Sequence, residues 1–303
     1  MLDISSSHIT PSKRLLGVFA VLVALTAAVA VVGVIVGMFG SFIANGGSTL
    51  SLEFLTEFPR NSNTEGGIWP ALAGTTFLVL LMTIMGVPIG TATAVYLTEF
   101  AKQDSWFARS VRFAVNTLAG VPSIVFGLFG VGFFIQFMGS GIDSWFGTSS
   151  FGDGSLLWSS ATLAVLTLPV VIVSVEEALR AVPRDLREAS LALGATRWQT
   201  ITKVVIPNAI TGILTGSILA VGRGAGEVAA ILFVGVTYSS EVLPSSVTEK
   251  FMHLGYHLFV LSTQSPDVDK TLPLQYATTL VLLGLTFVLN LTAILIRSRL
   301  RKR

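Results

Sequence analysis

The run Leu15–Phe39 constrains this chain more than any other stretch, because it holds 25 residues without a charge. A helix needs about 20 apolar residues to cross hydrocarbon, whereas the core of a secretory leader is about 7–15. The run therefore reads as an uncleaved first span, preceded by Lys13 and Arg14 and by a short polar tail containing His8. Five further apolar runs follow, at about 68–100, 113–138, 156–179, 209–236 and 274–296. Hydrocarbon offers backbone amides no partners, so such runs must be helical. The predicted fold class is all-α, a polytopic membrane protein with six transmembrane helices. Pro88 and the Gly86/Gly90 pair lie inside the second run. Gly120–Gly130, Gly-Val-Pro-Ser-Ile-Val-Phe-Gly-Leu-Phe-Gly, predicts a bent, closely packed third helix. Composition agrees: 12% of the 303 residues are charged, about half of the ~25% usual in soluble domains.

Charge placement orients the helices. With both termini inside, fifteen lysines and arginines fall on the inner segments and only Arg60, Lys250 and Lys270 on the outer ones. That asymmetry satisfies the positive-inside rule. Basic residues flanking apolar runs also account for the pI near 9.0 without nucleic acid. The chain then divides into residues 1–67 (tail, first helix, external loop), a membrane core at 68–297, and a basic inner tail at 298–303.

Pro183–Pro207 is the longest charged interruption between two runs. Pro183 suits a first helical turn. Leu186, Ala189 and Leu193 repeat at helical spacing, and Gly194 provides a stop. Thr196 and Gln199 form a capping box that restarts a helix with Trp198, Ile201 and Val205 on one face, and Pro207 is expected to end it. An amphipathic, basic helical hairpin on the inner side is a docking element for a soluble partner.

Catalytic chemistry is hard to find. No Gly-x-x-x-x-Gly-Lys-Ser/Thr phosphate loop occurs, and Gly222-Arg-Gly-Ala-Gly226 sits in an apolar run with no strand before it. His253 and His257 are four apart but lack a third metal ligand, which favours a structural or surface role. Without cysteine, disulfides and thiolate metal sites are excluded. Arg223 and Glu227 stand apart. A helix over 209–236 would place Arg223 about 21 Å from its start, near the bilayer midplane, and Glu227 one turn further on the same face. Gly212, Gly216, Ala220 and Ala230 would share that stripe of small residues. The pair reads either as part of a substrate pathway or as a clamp between helices, since an Arg at that depth must face protein or water.

Several stretches carry a family resemblance. Glu188-Ala189-Ser190, Gly194 and Val204-Val205-Ile206-Pro207 resemble the coupling loop of bacterial ABC-importer permeases, with Ser at the usual third Ala. Leu193–Thr200 and Gly216–Glu227, with Gly120–Gly130 and His257–Gln264, are similar to the permease subunits of phosphate-specific importers (PstA type) over about residues 68–297. Relatives usually follow the Arg…Gly-Glu with Thr-Ala-Pro, where Val228-Ala229-Ala230 stand here.

The resemblance implies a MetI-like, type I permease of the bacterial cytoplasmic membrane that translocates phosphate, with Arg223 and Glu227 on the pathway. Leu186, Glu188, Ala189, Leu193, Gly194, Arg197, Trp198 and Pro207 would couple it to ATP hydrolysis. It also implies its partners: a second homologous permease, two cytoplasmic ATPase subunits and an external phosphate-binding protein. No cofactor would belong to this chain, and the ATPases would bind the ATP. Another oxyanion such as molybdate or phosphonate, a self-sufficient transporter or channel, and a membrane scaffold are the alternatives. No internal inverted repeat supports the self-sufficient transporter.

Overall fold

The computed structural model describes residues 11–61, 63–102, 105–238, 243–265 and 267–301, and no side chain is discussed at 11–14, 300 or 301. His8, Lys302 and Arg303 lie outside the described residues. Among the described residues, six helices are long and apolar enough to cross a membrane: Leu15–Gly46, Trp69–Phe100, Ser123–Phe146, Leu156–Arg180, Arg197–Ala225 and Val268–Arg299. The helices are labelled α1 (Pro11–Gly46), α2 (Leu52–Thr56), α3 (Trp69–Val95), α4 (Trp106–Leu118), α5 (Ser123–Phe129) and α6 (Ser140–Phe146). The second half adds α7 (Leu156–Arg180), α8 (Arg184–Ala192), α9 (Arg197–Thr200), α10 (Ile206–Ala225), α11 (Leu254–Thr263) and α12 (Val268–Arg301). π-helical turns at Tyr96–Phe100, Gly130–Gly139 and Ile201–Val205 extend α3, join α5 to α6 and join α9 to α10.

The bundle is built around α7, which packs against α3 on one side and α10 on the other. Its sequence explains why it can be central. Ser160, Thr162 and Thr167 are fully buried, yet each hydroxyl donates to a carbonyl one turn back, at Leu156, Trp158 and Leu163. Small polar side chains can thus be buried without water. Glycines set the close approach. Gly86 lies against Ala164 and Gly90 against Val171, while Gly212 faces Ala178. A Cβ at Gly216 would stand only 2.7 Å from the Ser174 Cβ. The small-residue spacing at 86/90 and 212/216 is therefore a packing device. α1, by contrast, buries nothing along its apolar span and runs beside α12 at the periphery.

Four boundaries differ from the sequence reading. The third run is two helices, since the chain breaks at Ala119–Pro122 between α4 and α5. Pro122 has no N–H for a continuous helix and pushes the residue before it out of helical geometry. The third span accordingly shifts to Ser123–Phe146, beyond the expected end of the run at 138. The fifth run is helical only to Ala225, with Gly226 as its C-cap, and residues 228–235 form successive turns. Ala230, Ile231 and Val234 in those turns are completely buried, and the Val234 carbonyl accepts from the Ser155 amide at 2.9 Å. Irregular backbone at this depth survives because protein surrounds it.

Pro207 does not end a helix; it lies in the first turn of α10, and α9 to α10 is one continuous rod. The π-helical turn at Ile201–Val205 precedes it, and Asn208 Nδ2 donates to the Val204 carbonyl at 2.7 Å. Finally, the connection at 237–273, between the fifth and sixth runs, is partly buried. Phe251, Met252 and Leu254 are buried, and the Leu254 amide donates to Thr75 Oγ1 of α3 at 2.9 Å.

Candidate functional site

The expected docking element is present as a helical hairpin of α8 and α9. Pro183 is the N-cap residue of α8, one position before the predicted first turn. Gly194 stops α8 at φ +85°, with its amide donating to the Leu191 carbonyl at 2.9 Å and the Ala195 amide to the Ser190 carbonyl at 3.2 Å. Those two bonds are a Schellman motif, and they require the left-handed residue that glycine supplies. The capping box of Thr196 and Gln199 then starts α9, with both reciprocal bonds formed. Ser190, the departure from the usual Ala, pairs its hydroxyl with Thr200 Oγ1 at 3.0 Å and ties the two helices together.

The hairpin exposes several large apolar side chains. Leu193 is 89% exposed, Trp198 63%, and Leu186 and Leu191 also stand in the open. Glu188 and Ala189 share this exposed surface. Ile201 and Val205 are buried, so Trp198 does not lie on their face as the sequence reading had it.

The opposite side of the hairpin is held by charge. Arg187 forms an ion pair with Glu99, the buried acid in the π-helical turn that completes α3, and donates a second hydrogen bond to the Leu179 carbonyl at 2.6 Å. Arg197 donates to the Glu99 carbonyl, and its guanidinium lies 5.6 Å from the centroid of the Phe100 ring. Arg197 is thus tied back to the end of α3 while the residue stays exposed. Beside this cluster, Arg112 donates to the Leu97 carbonyl at 3.0 Å and faces Glu176 at 3.6 Å, while Arg180 reaches Glu176 at 3.1 Å. A cleft of ≈ 800 Å³ between α3, α4 and α8 is lined by Arg112, Arg180, Arg184 and Arg187 together with Glu188. Sequence reasoning missed Glu99. Its signal was a lone acid closing an otherwise uncharged apolar run, Tyr96-Leu-Thr-Glu-Phe100.

Arg223 occupies the last turn of α10, where a cation complements the helix dipole, and its side chain is exposed. Its level follows from its neighbours. With Gly212 opposite Ala178 and Gly216 opposite Ser174, the antiparallel register carries Arg223 to about the level of Thr167, near the middle of α7. Glu227 is not one helical turn further on, because α10 has ended at Ala225. Among the described residues no ion pair joins the two, which removes the clamp between them. The flanking glycines have separate tasks: Gly222 lies against Asn290 of α12, and Gly224 against Met82 of α3.

His253 caps α11 with Nδ1, which accepts from the amides of Gly255 and Tyr256 at 3.2 and 3.4 Å. Both His253 and His257 are buried, outside the six candidate spans. Burial pushes their pKa values down, to about 3 and about 4. The role is structural. Among the described residues no group of three or more His, Asp or Glu could hold a metal.

The sequence matches the family described as "binding-protein-dependent transport system inner membrane component" over residues 86–303. YqgI of Bacillus subtilis, a probable ABC transporter permease protein, is 33% identical over 270 residues, covering 85% of this chain and 86% of the relative. The phosphate transport system permease protein PstA of Haemophilus influenzae is 34% identical over 245 residues, covering 78% and 80%. PstA of Mycobacterium leprae is 42% identical over 177 residues, covering 58% and 53%. A bacterial alginate ABC transporter superposes with a TM-score of 0.63 at 16% identity, covering 95% of this chain and 96% of that one. The inward-facing MetNI methionine ABC transporter gives 0.53 at 21%, covering 77% and 94%. At such identities these two speak for the fold, a MetI-type permease fold. With the family match spanning well over half of its length, the chain belongs to the binding-protein-dependent transport system inner membrane components.

Proposed function

We propose that this chain is a phosphate-translocating permease subunit of an ATP-driven importer in the bacterial inner membrane, with both termini and the α8–α9 hairpin on the cytoplasmic side. It pairs with a second, homologous permease to enclose the path, because one chain offers a single arginine at the level of Arg223. Two ATPase subunits bind the ATP and dock on the hairpin, and an external binding protein delivers phosphate. This chain carries no cofactor of its own. The carrying observation is the hairpin: a capped, basic element whose large apolar side chains, Leu193 and Trp198, are mostly exposed. That is how a helix-in-groove anchor presents itself. A self-sufficient transporter would leave it without a purpose. The PstA relatives support phosphate as the substrate.

Arg223 supports the same reading at the other end of α10. Its planar fork can hold two oxygens of a phosphate at once, and no partner among the described residues neutralises it. It stands where a helix gives way to irregular backbone inside the bundle, an arrangement seen at transporter ion sites. Since the natural chain lacks cysteine, a single cysteine at Leu193 or Trp198 is a clean probe. It is expected to crosslink to the ATPase subunit in the assembled complex. Failure to crosslink in every nucleotide state would remove the hairpin as the docking site.

A further inference from the structure

We infer that Glu99 is the positioning residue that makes the hairpin and the α3 span move as one body, so that force applied to α8–α9 reaches the level of Arg223. The inference rests on the ATP-coupled reading above. Glu99 closes the apolar run of α3 and is 7% exposed. An isolated carboxylate at such burial is costly unless paired. Here it is paired with a residue of a different element, Arg187 of α8, and not with a neighbour on its own helix.

The pairing is doubled by the backbone. The π-helical geometry of Tyr96–Phe100 shifts the hydrogen-bond ladder, with the Ala101 amide bonding back to the Tyr96 carbonyl at 2.9 Å. The carbonyls of Leu97 and Glu99 receive side-chain donors, Arg112 and Arg197 respectively. Phe100 adds its ring beneath Arg197 and a ring contact to Trp198 at 6.4 Å. Both arms of the hairpin therefore converge on two consecutive residues, Glu99 and Phe100. Arg187 also reaches the Leu179 carbonyl at 2.6 Å, so the end of α7 is drawn into the same knot.

The other end of this lever is the substrate level. Met82 lies on α3, 17 residues before Glu99, roughly 25 Å away at 1.5 Å per residue. It is completely buried and packs against Gly224, the residue after Arg223. α3, gripped at Glu99, thus bears on the end of α10 through Met82. Trp198 and Leu193 receive the push from outside; Glu99 passes it on.

The test uses the whole complex, with both permeases, the ATPases and the binding protein, in vesicles supplied with inorganic phosphate and ATP. Glu99→Gln keeps an acceptor of the same size but removes the charge. It is expected to leave membrane abundance and ATP hydrolysis in place while phosphate moved per ATP falls at least about tenfold, the scale of a lost charged hydrogen bond. Unchanged transport per ATP, or a parallel fall in abundance, hydrolysis and uptake, would overturn the role. A second measurement does not depend on the variant folding or on the substrate. Spin labels at Tyr96→Cys and Ala192→Cys in the otherwise unchanged complex should keep their distance within about 3 Å between nucleotide-free and ATP-trapped states, short of a one-turn slip. A larger change would show the hairpin sliding over α3 and would end the proposal. Absence of phosphate uptake by the unaltered complex would instead refute the underlying reading, and the label distance would still report on the latch.

Discussion

Gly194 offers the sharpest perturbation of the hairpin, because conformation and sterics separate there. Its φ of +85° lies in the left-handed region, yet an added Cβ would find no atom within 4 Å. Gly194→Ala therefore costs only backbone strain, about 1–2 kcal/mol for an L-residue held left-handed. That lowers the population of the formed turn by roughly 5–30-fold relative to alternatives. Gly194→Asn adds more atoms but tolerates the left-handed region, so it should lose much less. Gly194→Pro should lose most, since proline fixes φ near −65° and removes the amide that donates to Leu191. The assay is phosphate uptake per ATP hydrolysed in vesicles containing the assembled complex. The expected order of coupling is glycine, asparagine, alanine, proline. If asparagine were as poor as proline, or alanine as good as glycine, the left-handed turn would not be what holds the docking face.

Other changes probe the remaining parts. Arg223→Gln should abolish phosphate uptake and Arg223→Lys should impair it severely, with complex assembly intact; adding Glu227→Gln should not rescue either, because there is no ion pair to rebalance. Gly216→Leu forces side-chain atoms into Ser174 of α7 and should cost about 1–3 kcal/mol as overpacking, read as lowered thermal stability in detergent. His253 and His257 stay neutral in the fold down to about pH 3 and 4, against about 6.5 unfolded. The unfolded chain thus binds more protons below pH 6.5, and stability should be full above that pH and fall as pH drops toward 4. Replacing His253 by Asn, which can also cap, and His257 by Leu should flatten that slope in melting curves measured against pH.

Much of this architecture was legible because the constraint behind it is simple. Leu15–Phe39 or Leu156–Leu179 cannot be anything but helices in hydrocarbon, and the Gly194 stop and the Thr196/Gln199 box follow from backbone chemistry local to a few residues. What failed to be legible depended on neighbours. Apolar character continues through Ala230 and Val234, so hydropathy extended the fifth helix, while the actual stop at Gly226 is tolerated only because Ser155 and the packed bundle satisfy the turns that follow. Pro207 reads as a terminator in isolation, yet the rod continues through it after the π-helical turn at Ile201–Val205, the kind of local adjustment that re-satisfies backbone freed by a proline. The tie between Arg197 and α3 was hidden in the sequence because its partner, the Glu99 carbonyl, is 98 residues away. Glu99 was overlooked for the same reason: its meaning comes from Arg187 on another element.

The central claim is that this chain moves phosphate only as part of an ATP-driven pair of unlike permeases. The direct measurement is uptake of labelled inorganic phosphate by proteoliposomes holding this chain, its homologous partner, the ATPases and the binding protein. The account predicts uptake that requires ATP inside the same compartment as the hairpin, that stops when the partner permease is left out, and that is lost with Arg223→Gln. Uptake driven by an ion gradient without ATP, or by this chain alone as a homodimer, would contradict it.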